Sequence, residues 1–232
     1  MAIHVEPFKH RNAKNIKEQV RYILEKYGGH PAFYRTNHSN KTNLPLLYIY
    51  DSYLIDSSEW QQIFSKSGAM TVRDTDLDAI FIGLLVEGKH QSHILKSGFD
   101  GFYTYFATNG FTFGSTWGNW DKIGRWAASN RLLFIPSVGP GYIDTEVRPW
   151  NAVNTRKRLD GKYYKESFNN AVKVKPDLIS ITSFNEWHEG TQIEPAVEKR
   201  IESRKYSDYG SNGPFYYLNI TREWVEKFTT NH

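Results

Sequence analysis

Two glutamates, Glu186 and Glu189, lie three residues apart in the segment FNEWHEGTQIEP. A carboxyl pair can cleave a glycosidic bond when one member protonates the leaving oxygen and the other supports the anomeric carbon or activates a nucleophile. Glutamates at this spacing more often form a solvated charge pair. Their position after an apolar run, among Asn, Trp and His residues, favours catalysis here. Gly190 allows a turn that would let both carboxylates face one pocket.

The run that leads into the pair, LISITSFNEW, predicts a strand with Glu186 at its end. Alternate side chains of a strand point to opposite faces of the sheet. One face would carry Ser180, Thr182, Phe184 and Glu186, and the other Ile179, Ile181, Ser183 and Asn185. We therefore expect the more polar face to point to the interior of the fold and the isoleucines to pack against helices.

A metal site is the alternative use of this segment, with His188, Glu189 and His4 as ligands. The spacing does not match the H-E-x-x-H pattern of zinc hydrolases. A hydrogen bond from His188 to a sugar hydroxyl or to a glutamate is the better prediction. We expect neither a metal ion nor a cofactor.

The elements that must position these residues alternate along the chain. The predicted strands are 2–6, 46–51, 79–86, 101–107, 132–138 and 178–185. The predicted helices run from a cap at Asn12 to Tyr27 and over 57–67, 89–97, 119–130 and 162–175. Strands that alternate with helices predict a parallel sheet in an α/β fold.

The distribution of polar residues separates a doubly wound sheet from a (β/α) barrel. No G-x-G-x-x-G follows a strand, so the usual dinucleotide fingerprint is missing. Polar or aromatic residues lie near the ends of several strands, namely His4, Glu6, Tyr50, Asp51, Tyr103, Tyr105, Ser137, Asn185 and Glu186. Residues from the C-terminal ends of several strands form the active site of a TIM-type barrel. The sequence therefore predicts an α/β fold of the (β/α)8 TIM type.

The count of units is smaller than a closed barrel requires. Such a barrel has eight βα units, whereas the sequence shows six strand-length runs, the first of which begins almost at Met1. We expect one catalytic barrel domain over residues 1–232 that lacks its first two βα units.

The composition excludes several classes of protein. The net charge is +4 and the basic residues are scattered, so nucleic acid is not an expected partner. Cysteine is absent, which excludes disulfides and thiolate metal sites. No stretch approaches the roughly 20 apolar residues of a membrane span, so no membrane segment is expected. Three N-x-S/T sequons, at Asn37, Asn40 and Asn219, fit a secretory-pathway lumen.

Several long segments together resemble glycoside hydrolase family 99, the endo-α-1,2-mannosidases. They are HVEPF, GGHPAFYR, YIYDSY, GFDGFYTYFATNGF, FIPSVGPGYIDT, RPWNAVNTR and ISITSFNEWHEGTQIEP. The resemblance runs from about Ala2 to Trp224. It implies a (β/α)8 barrel that cleaves glucosylated high-mannose N-glycans in the Golgi lumen with retention of configuration.

The resemblance also implies a division of labour between the glutamates. Glu186 would take the proton of the substrate 2-hydroxyl, whose oxygen then forms a 1,2-anhydro sugar. Glu189 would act as general acid and then as general base. This route replaces the carboxylate nucleophile of ordinary retaining chemistry.

Further residues are predicted to contact the substrate. The aromatic segment YTYF supplies Tyr105 or its neighbour Tyr103, although either ring could instead fill the barrel. The other candidates are His4, Glu6, Asn185, Trp187, His188, Tyr142 and Asp144. The alternative function is a catalytically inactive truncated product or a glycan-binding fragment with the same loops.

Overall fold

The structure is a computed structural model, which describes residues 1–197, 200–201 and 204–230. The strands are β1 Ile3–Val5, β2 Arg35–His38, β3 Lys41–Ile49, β4 Ile80–Leu84, β5 Gly101–Tyr103, β6 Leu133–Ile135, β7 Ser137–Val138, β8 Ser180–Ile181, β9 Arg200–Ile201 and β10 Arg204–Lys205. The helices are α1 Ala13–Tyr27, α2 Ser57–Phe64, α3 His90–Ser97, α4 Trp117–Ser129, α5 Lys162–Lys173 and α6 Tyr216–Thr230. Short 3-10 helices lie at Ser52–Leu54, Pro149–Asn154, Leu159–Gly161, Trp187–Glu189 and Gly210–Asn212.

Two compact units divide these elements. The first unit consists of Met1–Thr104 and Lys122–Ile135, and the second of Tyr105–Asp121 and Pro136–His232. The expectation of a single catalytic domain stays a prediction.

The first unit is built on a parallel sheet in the order β1-β3-β4-β5-β6, with β2 added antiparallel to β3. Every residue of β4 is buried, which is typical of a strand covered on both faces. Each large aliphatic side chain buried in this way contributes about 1.5–3 kcal/mol. The register pairs His4 with Tyr48, so residues near the C-terminal ends of β1 and β3 lie side by side.

Helix α1 shows how the sequence sets an element boundary. The Asn12 side chain accepts a hydrogen bond from the Asn15 backbone N–H, and the Asn15 side chain accepts one from Asn12. This reciprocal cap satisfies two backbone donors that the first turn leaves without helical partners. Ile16 and Val20 then fall on one buried face. The predicted cap at Asn12 and the predicted end near Tyr27 are both confirmed.

The N-terminal ends of β4 and β5 carry a charged cluster. One guanidinium nitrogen of Arg73, Nη1, lies 3.0 Å from Asp78 and 3.0 Å from Asp100. Lys41 Nζ lies 2.7 Å from Asp100. These carboxylates also accept backbone N–H groups of Asp74 and Phe81. The cluster ties the loops before two buried strands to the sheet.

The second unit contains the parallel pair β7 and β8, with Ser137 opposite Ser180. Helices α5 and α6 bury Tyr164, Phe168 and Tyr217. The guanidinium of Arg158 lies 4.6 Å from the centre of the Tyr217 ring. Its Nη2 atom donates to the carbonyl oxygens of Gly190 and Gln192, at 2.9 and 2.8 Å. Arg158 therefore ties the turn after Glu189 to helix α6.

Each predicted strand and helix has a counterpart, but several strands are shorter than predicted. The strand expected over 132–138 is two strands, β6 and β7, which belong to different sheets. The strand expected over 178–185 covers Ser180–Ile181. The predicted alternation of faces as far as Glu186 was therefore wrong, because the chain has left the strand before it reaches Phe184. Strand β2, which forms a hairpin with β3, and helix α6 were not predicted from the sequence. Among the described residues no helix is both long and apolar enough to cross a membrane.

Candidate active site

The predicted glutamate pair lies in a cleft of the second unit with a volume of about 780 Å³. Its lining residues are Asn185, Glu186, Trp187, His188, Glu189, Pro195, Ala196, Val197, Tyr206, Ser207 and Asp208. Five neighbouring residues that the sequence marked as candidates therefore line one cleft. The cleft also draws on Tyr206, which the sequence analysis did not single out.

Hydrogen bonds from several loops fix the backbone around Glu186. The Glu186 N–H donates to Ser183 Oγ at 3.0 Å, and that hydroxyl lies 2.7 Å from Thr191 Oγ1. The Glu186 carbonyl accepts the N–H of Glu189 at 3.2 Å, within the 3-10 turn Trp187–Glu189. The turn therefore places the two glutamates close in space although neither belongs to a strand.

Tyr105 contacts the Glu186 side chain directly. Its hydroxyl donates to Glu186, with distances of 3.2 Å to Oε1 and 3.5 Å to Oε2. Tyr105 has a positive φ of 56°, which is uncommon for a residue with a bulky side chain. Its backbone N–H donates to Ser137 Oγ at 2.6 Å, and Thr182 Oγ1 donates to its carbonyl. The ends of β7 and β8 therefore hold this backbone in place and aim the ring at Glu186.

Glu189 is paired with an arginine. Arg148 Nη1 lies 2.9 Å from Glu189 Oε1 and 3.1 Å from Asp144 Oδ2. Asp144 also accepts hydrogen bonds from the Tyr142 hydroxyl at 2.7 Å and from the Asn151 amide at 3.1 Å. Tyr142 and Asp144 were predicted to contact the substrate, and the structure buries both behind Arg148.

Aromatic and polar contacts orient the rest of the turn. Trp187 Nε1 donates to Glu194 Oε2 at 2.8 Å. The Tyr206 ring lies 6.1 Å from the Trp187 ring, centre to centre and perpendicular to it, and 5.7 Å from the His188 ring. These edge-on and tilted contacts place three rings in the cleft that the glutamates line, and aromatic rings suit the C–H faces of a sugar.

Three further candidates, His4, Glu6 and Tyr103, form a hydrogen-bonded chain in the first unit. His4 Nδ1 lies 2.6 Å from Glu6 Oε1, and His4 Nε2 lies 2.5 Å from the Tyr103 hydroxyl. Tyr48 packs against both rings, and burial raises the pKa of the Tyr48 hydroxyl well above its ordinary value. Tyr103 is therefore a buried ring whose hydroxyl pairs with His4, and its contact with the substrate stays a prediction.

Within the part of the chain that the structure describes, no group of three or more His, Asp or Glu residues is arranged to hold a metal ion. Arg148, Glu194 and Tyr206 are among the contributors that were not predicted from the sequence. Arg148 lies in the segment RPWNAVNTR, which carried part of the family resemblance. Its partner Glu189 is 41 residues away in sequence, so no local spacing could have joined the two.

An α/β fold with two glutamates in one open cleft is an arrangement typical of glycoside hydrolases. The chain belongs to glycosyl hydrolase family 99, whose family model matches residues 1–230. It is 53% identical over 229 residues to glycoprotein endo-alpha-1,2-mannosidase of Rattus norvegicus, and 50% identical over 228 residues to glycoprotein endo-alpha-1,2-mannosidase-like protein of Homo sapiens. These matches cover 99% and 98% of this chain but 50% of each relative.

The comparison with solved structures assigns the fold. The GH99 endo-alpha-mannosidase of Bacteroides thetaiotaomicron superposes with a TM-score of 0.94 at 48% identity, over 99% of this chain and 66% of the bacterial one. The prediction of an α/β fold of the TIM-barrel type is thereby confirmed. The expectation that two βα units are missing stays a prediction. The chain spans about half the length of the curated relatives it matches.

Proposed function

We propose that this chain carries the catalytic glutamates of a retaining endo-α-1,2-mannosidase that acts on glucosylated high-mannose N-glycans in the Golgi lumen. The observation that supports this most strongly is the position of Glu186 and Glu189 in one cleft of a family 99 chain. The names of the Rattus norvegicus and Xenopus laevis relatives, each over 50% identical, support the mannosidase activity.

In the first step Glu186 takes the proton of the 2-hydroxyl of the mannose whose anomeric bond breaks. The freed oxygen attacks the anomeric carbon and forms a 1,2-anhydro sugar, while the bond to the leaving oxygen breaks. Glu189 gives its proton to that leaving oxygen. The Tyr105 hydroxyl donates to the Glu186 carboxylate at 3.2 Å and so helps to hold it in place for this step.

In the second step Glu189, now ionised, takes a proton from water. The water oxygen attacks the anomeric carbon and opens the three-membered ring, and Glu186 returns its proton to the 2-oxygen. Two inversions at the same carbon restore the original configuration. Arg148 Nη1 lies 2.9 Å from Glu189 Oε1 and helps to hold the carboxylate that takes this proton.

The remaining candidates would bind hydroxyl groups of the glycan. Trp187 and His188 line the same cleft as the glutamates, and Asn185 precedes Glu186 there. In the first unit, His4, Glu6 and Tyr103 offer hydrogen-bonding groups, and the Glu6 side chain is 65% exposed. We assign no metal and no nucleic acid to this activity.

The test is to incubate the purified chain with a glucosylated high-mannose glycan and to look for the released glucose-capped mannose fragment. We expect product from the unaltered chain and a loss of at least about 10³-fold in kcat for Glu186→Gln and for Glu189→Gln. Thermal unfolding should show that both variants remain folded. Near-normal turnover in either variant would overturn its assignment.

The second candidate, an inactive or glycan-binding fragment, is favoured by the match to half the length of the relatives. It predicts binding of the same glycan without any product. A full-length relative assayed in parallel shows that the substrate is competent. Absence of product from this chain under those conditions would remove the enzymatic proposal for it.

A further inference from the structure

A single arginine joins Glu189 to a buried polar cluster. Arg148 Nη1 contacts Glu189 Oε1 at 2.9 Å and Asp144 Oδ2 at 3.1 Å. The Arg148 side chain is 43% exposed and that of Glu189 is 23% exposed, whereas the Asp144 side chain is 0% exposed. The arginine therefore bridges a buried carboxylate and one that opens to the cleft.

The buried side of this bridge is fixed. The Asp144 carboxylate accepts a hydrogen bond from the Tyr142 hydroxyl. The Asn151 amide N–H group lies within hydrogen-bond distance of both of its oxygens. Burial and the hydrogen bond to Asp144 raise the pKa of Tyr142 well above its ordinary value, so its hydroxyl remains a donor. The backbone of Asp144 also holds that of Arg148, because the Asp144 carbonyl accepts the Arg148 N–H at 2.7 Å. The guanidinium consequently has one well-defined anchor.

The same segment holds the main chain of Glu189. The Ile143 N–H donates to the Glu189 carbonyl at 2.8 Å. Gly190 follows with a φ of +63°, and a Cβ atom there would lie 3.1 Å from the Ile143 nitrogen. The backbone and the side chain of Glu189 thus both form hydrogen bonds with residues 143–148. A side chain at position 190 would crowd the Ile143 backbone that makes one of these bonds.

The bridge also distinguishes the two oxygens of the Glu189 carboxylate. Arg148 faces Oε1, and a cation beside one oxygen disfavours a proton there. Hydrogen bonds to Asp144 and Glu189 raise the pKa of Arg148 above its already high ordinary value, so the guanidinium stays charged at any working pH. A proton on Glu189 would therefore reside on Oε2.

We infer that Arg148 is a positioning residue for the reaction: held by Asp144, it fixes the Glu189 carboxylate and directs its proton to Oε2. This inference rests on the proposed function, in which Glu189 donates a proton and later removes one. A proton-transfer group that moves by about 1 Å can lose about 10²-fold in rate. The effect should fall on kcat, because Arg148 acts through Glu189 and not on the sugar.

The experiment compares Arg148→Ala and Arg148→Lys with a control variant, Lys157→Ala. Lys157 is an exposed cation nine residues after Arg148 in sequence. We expect kcat to fall about 10²-fold in Arg148→Ala with KM changed by less than about threefold. Because a single nitrogen makes both contacts, lysine should recover at least part of the loss. Added guanidinium ion should raise kcat of Arg148→Ala and leave Glu189→Gln unchanged, which a purely structural role would not produce.

Three results would overturn the inference: at least half of the original kcat in Arg148→Ala, a rise in KM alone, or no response to guanidinium in a variant that melts like the unaltered chain. Crystal structures separate this failure from failure of the proposed function. If the unaltered chain releases no product, the mannosidase proposal is wrong. The position of the Glu189 carboxylate in the crystal structures still tests the positioning role. We expect that carboxylate to move by more than about 1 Å in Arg148→Ala while Asp144 stays in place, and an unmoved carboxylate contradicts the inference.

Discussion

The Tyr105 hydroxyl donates a hydrogen bond to the proposed base, at 3.2 Å from Glu186 Oε1. A hydrogen bond to a charged group contributes about 1.5–3 kcal/mol, which corresponds to about 10- to 100-fold in rate if it is lost in the transition state. We expect Tyr105→Phe to lower kcat by that factor without loss of folding. Tyr22→Phe, on the exposed face of α1, is the matched control. Unchanged kcat in Tyr105→Phe would show that the hydroxyl does not assist Glu186.

Single residues differed in how far the sequence could reveal them. Glu186, Trp187, His188 and Glu189 are adjacent in sequence, so a local motif was enough to predict that they share a cleft. Arg148, the partner of Glu189, is 41 residues away from it in sequence, so the contact between them is known only from the fold. Its segment RPWNAVNTR carried part of the family resemblance, but no local spacing linked Arg148 to Glu189.

At the scale of elements, the turn after Glu189 depends on Arg158, whose guanidinium binds the carbonyl oxygens of Gly190 and Gln192 beside the Tyr217 ring. Arg158→Met would leave both buried carbonyls without this donor. We expect the free energy of unfolding to fall by about 2–3 kcal/mol, measured by chemical denaturation. Arg222→Met, on the exposed face of α6, should change it by less than about 0.5 kcal/mol. Equal effects of the two substitutions would show that the Arg158 contacts contribute little.

Element type was easier to predict than element length. Periodic burial of Ile16 and Val20 and the cap at Asn12 defined α1 closely, because both signals are local. Strand β8 ends after Ile181. From Ser183 onward the backbone bonds to the loop at residues 191–194 in place of a second strand. The apolar run before Glu186 could not reveal this, because Phe184 continues the hydrophobic pattern although its side chain is 52% exposed in a loop. Helix α6 was missed although Tyr217 and Ile220 are spaced for a buried face.

At the scale of the whole molecule, the acid sensitivity of folding should depend on the cluster around Asp78. Burial disfavours the Asp78 carboxylate, but the Asp74 N–H and the charges of Lys41 and Arg73 outweigh it, so the pKa of Asp78 lies below its ordinary value. Such a group binds its proton more readily in the unfolded chain. Its stabilisation is therefore present above the ordinary aspartate pKa and is lost as the pH falls through the folded-state pKa.

The substitution Asp78→Asn tests this linkage. At pH 7 the variant should unfold with a free energy about 2 kcal/mol lower than the unaltered chain, because Arg73 loses one of its two carboxylate partners. That gap should narrow as the pH falls, since the unaltered chain then loses the same ion pair. Asp74→Asn, at an exposed carboxylate paired with Lys66, should show a gap below about 0.5 kcal/mol throughout. A gap for Asp78→Asn that stays constant from neutral to acidic pH would mean that the Asp78 charge does not set the acid limit of the fold.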